Sequence, residues 1–113
     1  MNVNVKNILV TGCSTGIGLD AIEALRTRGY RVIASARKSE DVNRLAALGF
    51  DAIQLDLNDS DSIRGGVAKV AKLTDGKIDA LFNNAGFGQP GAVEDLTRDV
   101  LRQQFETNVF GCH

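Results

Sequence analysis

The sequence predicts a doubly wound α/β domain, a parallel sheet with helices on both faces. Three observations carry that reading. Short apolar runs alternate with segments of helical periodicity along the chain. The strand-like runs are continuously apolar instead of alternating, as burial on both faces requires. The connections are short, and glycines or small polar residues stand at the helix boundaries.

The elements follow in order. Residues 6–10 form an apolar run that stops at Thr11-Gly12 and reads as a buried strand. Residues 17–28 carry Ile17, Ala21, Ile22 and Leu25 on one helical stripe, closed by Gly29. Residues 31–36 make a second strand. Ser39 is expected to cap a short helix that runs to Leu48 and is closed by Gly49. Residues 50–55 make a third strand, and residues 56–59 a polar connection. Ser60 or Asp61 is expected to cap a helix with Ile63, Val67, Val70 and Leu73 inward, weakened by Gly65 and Gly66. Residues 78–82 make a fourth strand, and residues 83–90 a glycine-rich loop. Thr97 is expected to cap a last helix with Val100, Leu101, Gln104, Phe105, Asn108 and Val109 on or near one face.

Composition narrows the function classes. The chain has 113 residues, with 13 Lys+Arg against 14 Asp+Glu, a formal net charge of -1. That balance argues against a nucleic-acid partner held by phosphate neutralisation. No apolar run approaches the roughly 18 residues of a membrane span. The first seven residues show no leader pattern. Cys13 and Cys112 make neither a metal pattern nor a disulfide framework, so no metal is expected and the cytoplasm is the expected compartment. Twelve glycines beside one proline point to tight turns and close backbone approach.

The most informative stretch is Thr11-Gly12-Cys13-Ser14-Thr15-Gly16-Ile17-Gly18, between the first strand and the first helix. A helix N-terminus presents unpaired N–H groups and about half a positive charge, which suits a pyrophosphate. Gly12 turns the chain off the strand, Gly16 admits a close ligand, and Gly18 packs the helix tightly. Ser14 and Thr15 add hydroxyls. No Gly-Lys-Ser/Thr follows, so a phosphate-loop NTPase is excluded on spacing. Cys13, beside the helix start, reads mainly as a packing residue, with some acidification of its thiol as the lesser alternative. Arg26, Arg28 and Arg31 read as a solvated face around a helix end.

The spacing Gly-x-x-x-Gly-x-Gly after Thr11 resembles the short-chain dehydrogenase/reductase family. Asn83-Asn84-Ala85-Gly86, Asp56-Leu57 and Asn108 within Thr107-Asn108-Val109-Phe110-Gly111 match further positions of that family in the right order. The resemblance implies a Rossmann fold and hydride transfer between NAD(H) or NADP(H) and an alcohol or carbonyl carbon. It implies that Gly12, Gly16, Ile17 and Gly18 line the pyrophosphate, and that Asp56 and the Leu57 backbone meet the adenine. It assigns Asn83 to tying strands together, and Asn84, Ala85 and Gly86 to the ribose on the nicotinamide side. Asn108 would lie in the helix under the active site, its backbone holding a water of the catalytic proton relay. Residues 87–91 would border the substrate, a small alcohol, aldehyde or ketone in the complete protein.

Cofactor choice follows from the second strand's end. An NAD site usually carries an acid there, which would repel a 2′-phosphate. Here Ser35-Ala36-Arg37-Lys38 stands instead. Arg37, with Lys38, is expected to favour NADP(H) over NAD(H).

The family's chemistry needs a Tyr-x-x-x-Lys pair and a serine, because a tyrosine near its ordinary pKa of about 10 needs a neighbouring cation to act at neutral pH. The one tyrosine, Tyr30, is followed at the lysine position by Ala34, and no serine lies after Ser62. Residues 1–113 are therefore expected to be the N-terminal part of a single dinucleotide-binding domain, with the catalytic half absent and the chain inactive alone. A non-catalytic dinucleotide-binding or sensing module is the alternative. With the order 3-2-1-4, the fourth strand would be an apolar edge, and homo-oligomers are expected.

Overall fold

The structure, a computed structural model, describes residues 5–113. The first four residues, part of the segment read as lacking a leader, lie outside the described residues. Four strands form one parallel sheet in the order β3-β2-β1-β4. They are β1 (Asn7–Val10), β2 (Arg31–Ala36), β3 (Asp51–Gln54) and β4 (Ala80–Phe82). The helices are α1 (Gly16–Thr27), α2 (Ser39–Ala47), α3 (Ser60–Thr74) and α4 (Arg98–Phe105). A 3-10 turn (Val93–Asp95) precedes α4, and a π-helical stretch (Glu106–Gly111) continues it. This is the Rossmann-like α/β architecture that the alternation predicts. The register runs Ile8 beside Val32 and Ala80, and Ala34 beside Ala52.

Side-chain alternation on the two inner strands builds two cores. Ile8, Val10, Val32, Ala34 and Ala36 face one way and meet Ile22 of α1, Leu45 of α2, Cys13 and Phe50. Leu9, Ile33 and Ile53 face the other way and meet Val70 of α3. Because β1 and β2 are buried on both faces, they read as unbroken apolar runs.

Several boundaries differ from expectation. The α2 cap position is Lys38, without a side-chain bond, and Ser39 is already helical. Asp59 caps α3, its carboxylate accepting from the N–H groups of Asp61 and Ser62; Ser62 Oγ instead accepts from Asp56 N. The buried stripe of α3 is Gly66, Val70 and Thr74, while Val67 and Leu73 are exposed. Gly66 sets that rotation: a Cβ there would stand 2.8 Å from Leu55 Cδ1, so its bare face lies nearest β3. Gly66 therefore serves packing as well as weakening the helix. β4 is exposed along its length, because it is the sheet edge.

The last helix also departs from expectation. Thr97 caps α4 through Val100 N, but neither α4 nor the π-helical stretch buries a residue. The widened turns lie between two anchors. The Asn108 amide grips the backbone of Phe87, and Gly111 abuts Leu57. Among the arginines read as a solvated face, Arg31 pairs with Asp51 at 3.0 Å, and Arg26 covers the Phe50 ring at 3.8 Å while donating to Leu48 O. Both bind specific neighbours because strand and helix ends converge there.

Candidate functional site

The carboxyl ends of the parallel strands open onto a cleft of about 860 Å³. Its floor is the turn between β1 and α1. Gly12 adopts φ +69, and a Cβ on it would stand 2.8 Å from Ala85 Cα, so the turn and the segment after β4 are in backbone contact. A Cβ on Gly18 would strike Gly12 O and approach Asn84 Nδ2 to 2.7 Å. Only glycine lets α1 start this close to the strand end. Gly16, at φ +60, has nothing within 4 Å of its Cβ direction.

The start of α1 is polarised and unblocked. Thr15 occupies the cap position without a side-chain hydrogen bond, and the first turn holds no acid. The other three α-helices each carry an acid in their first turn. The first-turn N–H groups of α1 thus have no acid of their own turn to answer them.

Thr11 joins β1 to β4. Its hydroxyl oxygen accepts from Asn84 N at 3.1 Å and Ala85 N at 3.0 Å. Asn84 Nδ2 donates to Thr11 O and Gly12 O at 3.2 and 3.1 Å. The strand-tying asparagine is therefore Asn84, and Asn83 is exposed. The reason is local: Asn84 N turns back to Phe82 O at 3.0 Å, which brings the Asn84 amide beneath the glycine turn.

Most residues singled out in the sequence converge here. Gly12, Ser14, Thr15, Gly16, Ile17, Arg37, Lys38, Asp56, Leu57, Asn84, Ala85 and Gly86 all line the cleft. Gly18 lies behind it as packing. Asp56 accepts from Asn58 N at 3.0 Å, and Asn58 Oδ1 accepts from Thr107 Oγ1 at 2.6 Å. Asn108 stands outside the lining. Its Oδ1 accepts from Phe87 N at 3.0 Å, and its Nδ2 donates to Phe87 O at 2.8 Å and Gln104 Oε1 at 3.2 Å. Both ends of that amide are engaged, so its side chain holds the wall beyond Gly86.

Cys13 is not acidified. It is fully buried, and desolvation pushes its thiol up to about 11, outweighing a lowering hydrogen bond with the Ser35 backbone. The packing reading stands, because Cys13 points into the core and not toward the helix start.

Thr11, Asp41 and Arg44 were not singled out as site residues. Thr11 was legible as part of the motif, but its two-strand bridge was not. Arg44 Nη2 donates to Ser14 O at 2.9 Å and pairs with Asp41 at 2.9 Å, inside the same lining. No spacing rule joins an arginine in the last turn of α2 to the glycine turn.

The chain matches the short chain dehydrogenase family model over residues 6–113. The uncharacterised oxidoreductase YbbO of Escherichia coli (strain K12) is 41% identical over 108 residues, covering 96% of this chain and 40% of that protein. A short-chain dehydrogenase from Streptomyces avermitilis superposes with a TM-score of 0.87 at 40% identity, covering 98% of this chain and 42% of its own. The 3-ketoacyl-(acyl-carrier-protein) reductase of Brucella melitensis, solved with NADH, gives 0.85 at 26% identity, covering 94% and 45%. The chain thus spans about 40% of the length of the curated relatives it matches. With strand order, glycine turn and a family-model match over residues 6–113 in accord, the chain belongs to the short-chain dehydrogenase family of oxidoreductases.

Proposed function

We propose that residues 1–113 form the N-terminal, cofactor-binding part of one Rossmann domain in an NADP(H)-dependent oxidoreductase that interconverts alcohols and carbonyls. The cleft suits a dinucleotide. The open position beside Gly16 and the acid-free start of α1 accommodate a pyrophosphate, and Ser14, Thr15 and Ile17 flank it. Asp56 and Leu57 would hold the adenine end, and Asn84, Ala85 and Gly86 the nicotinamide ribose. When bound, the dinucleotide would supply the hydride for carbonyl reduction or accept it in alcohol oxidation.

Arg37 and Lys38 carry the choice of cofactor. Both are exposed, stand at the carboxyl end of β2 and line the cleft that holds the glycine turn. Family membership alone leaves this choice open, since the Brucella melitensis relative was solved with NADH. A guanidinium engages a phosphate bidentately, and a neutral 2′-hydroxyl offers it far less.

Asn108 serves the substrate side. Its side chain is engaged by Phe87 and Gln104, and its proposed part is through the backbone, holding the water of the proton relay. On this reading the tyrosine, lysine and serine of the reaction lie outside these 113 residues, so the 113-residue chain turns over no substrate. The enzyme would work in the cytoplasm on small molecules.

The test is fluorescence titration of the full-length protein with NADPH and NADH. The wild type should prefer NADPH, and Arg37→Asp should reverse or abolish that preference. An unchanged ratio of the two dissociation constants would sink the assignment.

A further inference from the structure

We infer that Arg44 of α2 is a third cation of the adenosine end and a determinant of the preference for a 2′-phosphate, with Asp41 as its built-in counter-charge. The inference rests on the dinucleotide reading above. Arg44 lies in the last turn of α2, yet its guanidinium returns to the glycine turn. One nitrogen, Nη2, holds both protein partners: Ser14 O at 2.9 Å and Asp41 Oδ1 at 2.9 Å. The first contact is a hydrogen bond and the second an ion pair. An arginine fork carries five N–H donors, so Nε and Nη1 keep three, and these make no hydrogen bond among the described residues.

The half-exposed fork is drawn toward the glycine turn before any ligand arrives by one hydrogen bond and one ion pair, which lowers the entropy lost on binding. It lines one cleft with the glycine turn and the Arg37-Lys38 end of β2, the end to which the dinucleotide reading assigns the ribose phosphate. Arg37, Lys38 and Arg44 against Asp41 and Asp56 leave the cleft lining a surplus of one positive charge. A neutral 2′-hydroxyl gains little from that surplus, and a 2′-phosphate gains much. Asp41 holds the fork in place and also opposes the phosphate.

Two roles must be separated. A merely structural Arg44 would tether the glycine turn through Ser14 O, and its loss would weaken both cofactors alike. An Arg44 that meets the phosphate weakens NADPH selectively. Arg44→Gln keeps a donor for Ser14 O and removes the charge. Arg44→Lys keeps charge and loses the fork.

The experiment is titration of the full-length protein with NADPH, NADH, 2′,5′-ADP and ADP, with ligand-free melting as a check on folding. We expect Arg44→Gln to lower the NADPH/NADH affinity ratio about tenfold, and the 2′,5′-ADP/ADP ratio likewise, the size of one lost charge-assisted contact. Arg44→Lys should fall between Gln and wild type, and Asp41→Asn should raise both ratios severalfold. Equal weakening of both members of each pair by Arg44→Gln, or an unchanged ratio, overturns the inference while a wild-type preference for NADPH leaves the cofactor reading intact. A wild type that binds neither dinucleotide overturns both.

Discussion

Cys13 shows how a single residue's chemistry is decided by its surroundings. Its thiol belongs to the glycine turn, but its side chain is fully buried among Ile8, Val10 and Ile22 and approaches Val10 O at 3.1 Å. Desolvation raises its pKa from 9.0 to about 11, so the folded state holds the proton more tightly than the unfolded chain does. The resulting stability is fully present below pH 9.0 and is lost as pH rises toward about 11. The melting temperature should therefore fall over that window more steeply in the wild type than in Cys13→Ala. A parallel decline in the two proteins would contradict the shift. In native protein at neutral pH, a thiol reagent should modify the partly exposed Cys112 well before Cys13.

At the scale of elements, the joint between β1 and the segment after β4 carries the site. Three strand and turn segments meet on Thr11, whose hydroxyl accepts two backbone N–H groups and lies 3.5 Å from Phe82 O. Thr11→Val would keep the shape and leave the half-buried Ala85 N–H without an acceptor, while Asn84 N keeps Phe82 O at 3.0 Å. Such a loss costs about 1–3 kcal/mol per group, so roughly 2 kcal/mol is expected overall. Chemical denaturation should record it, and Thr11→Ser should recover most of the stability. Equal stability of the Val and Ser variants would show that the bridge contributes nothing. The neighbouring glycines act on the same joint, since side chains at Gly12 and Gly18 would push apart what Thr11 and Asn84 hold together.

For the whole molecule, the two sheet faces and the two sheet edges are unequal. The face under α1 and α2 is well filled, whereas the other has Leu9, Ile33, Ile53 and Val70. Leu81 and Phe82 lie exposed on the β4 edge, and Leu101, Phe105 and Phe110 on the α4 side. An apolar edge with unpaired backbone groups is a template for another chain. The 113-residue chain should therefore self-associate at high micromolar concentration by light scattering, and Leu81→Lys should reduce it. A clean monomer with cooperative melting would rule this out.

Local signals in the sequence were enough for the element order, the β2 limits, the glycines after α1 and α2, and the turn that faces the cleft. Each of these rests on periodicity or on a backbone angle that neighbouring residues dictate. The strand order 3-2-1-4 was legible as well, because the glycine turn and the Asn-Asn-Ala-Gly segment belong to one family pattern. What the tertiary structure alone decided are relations between distant residues. Asn84, not Asn83, ties the strands because of how the chain bends after Phe82. Gly66 turns α3 so that Val67 faces out. The Asn108 amide reaches Phe87 across 21 positions, and Arg44 reaches Ser14 across 30. Such contacts depend on where helices lie over the sheet, and that position is set by packing of the whole core, which no local pattern records.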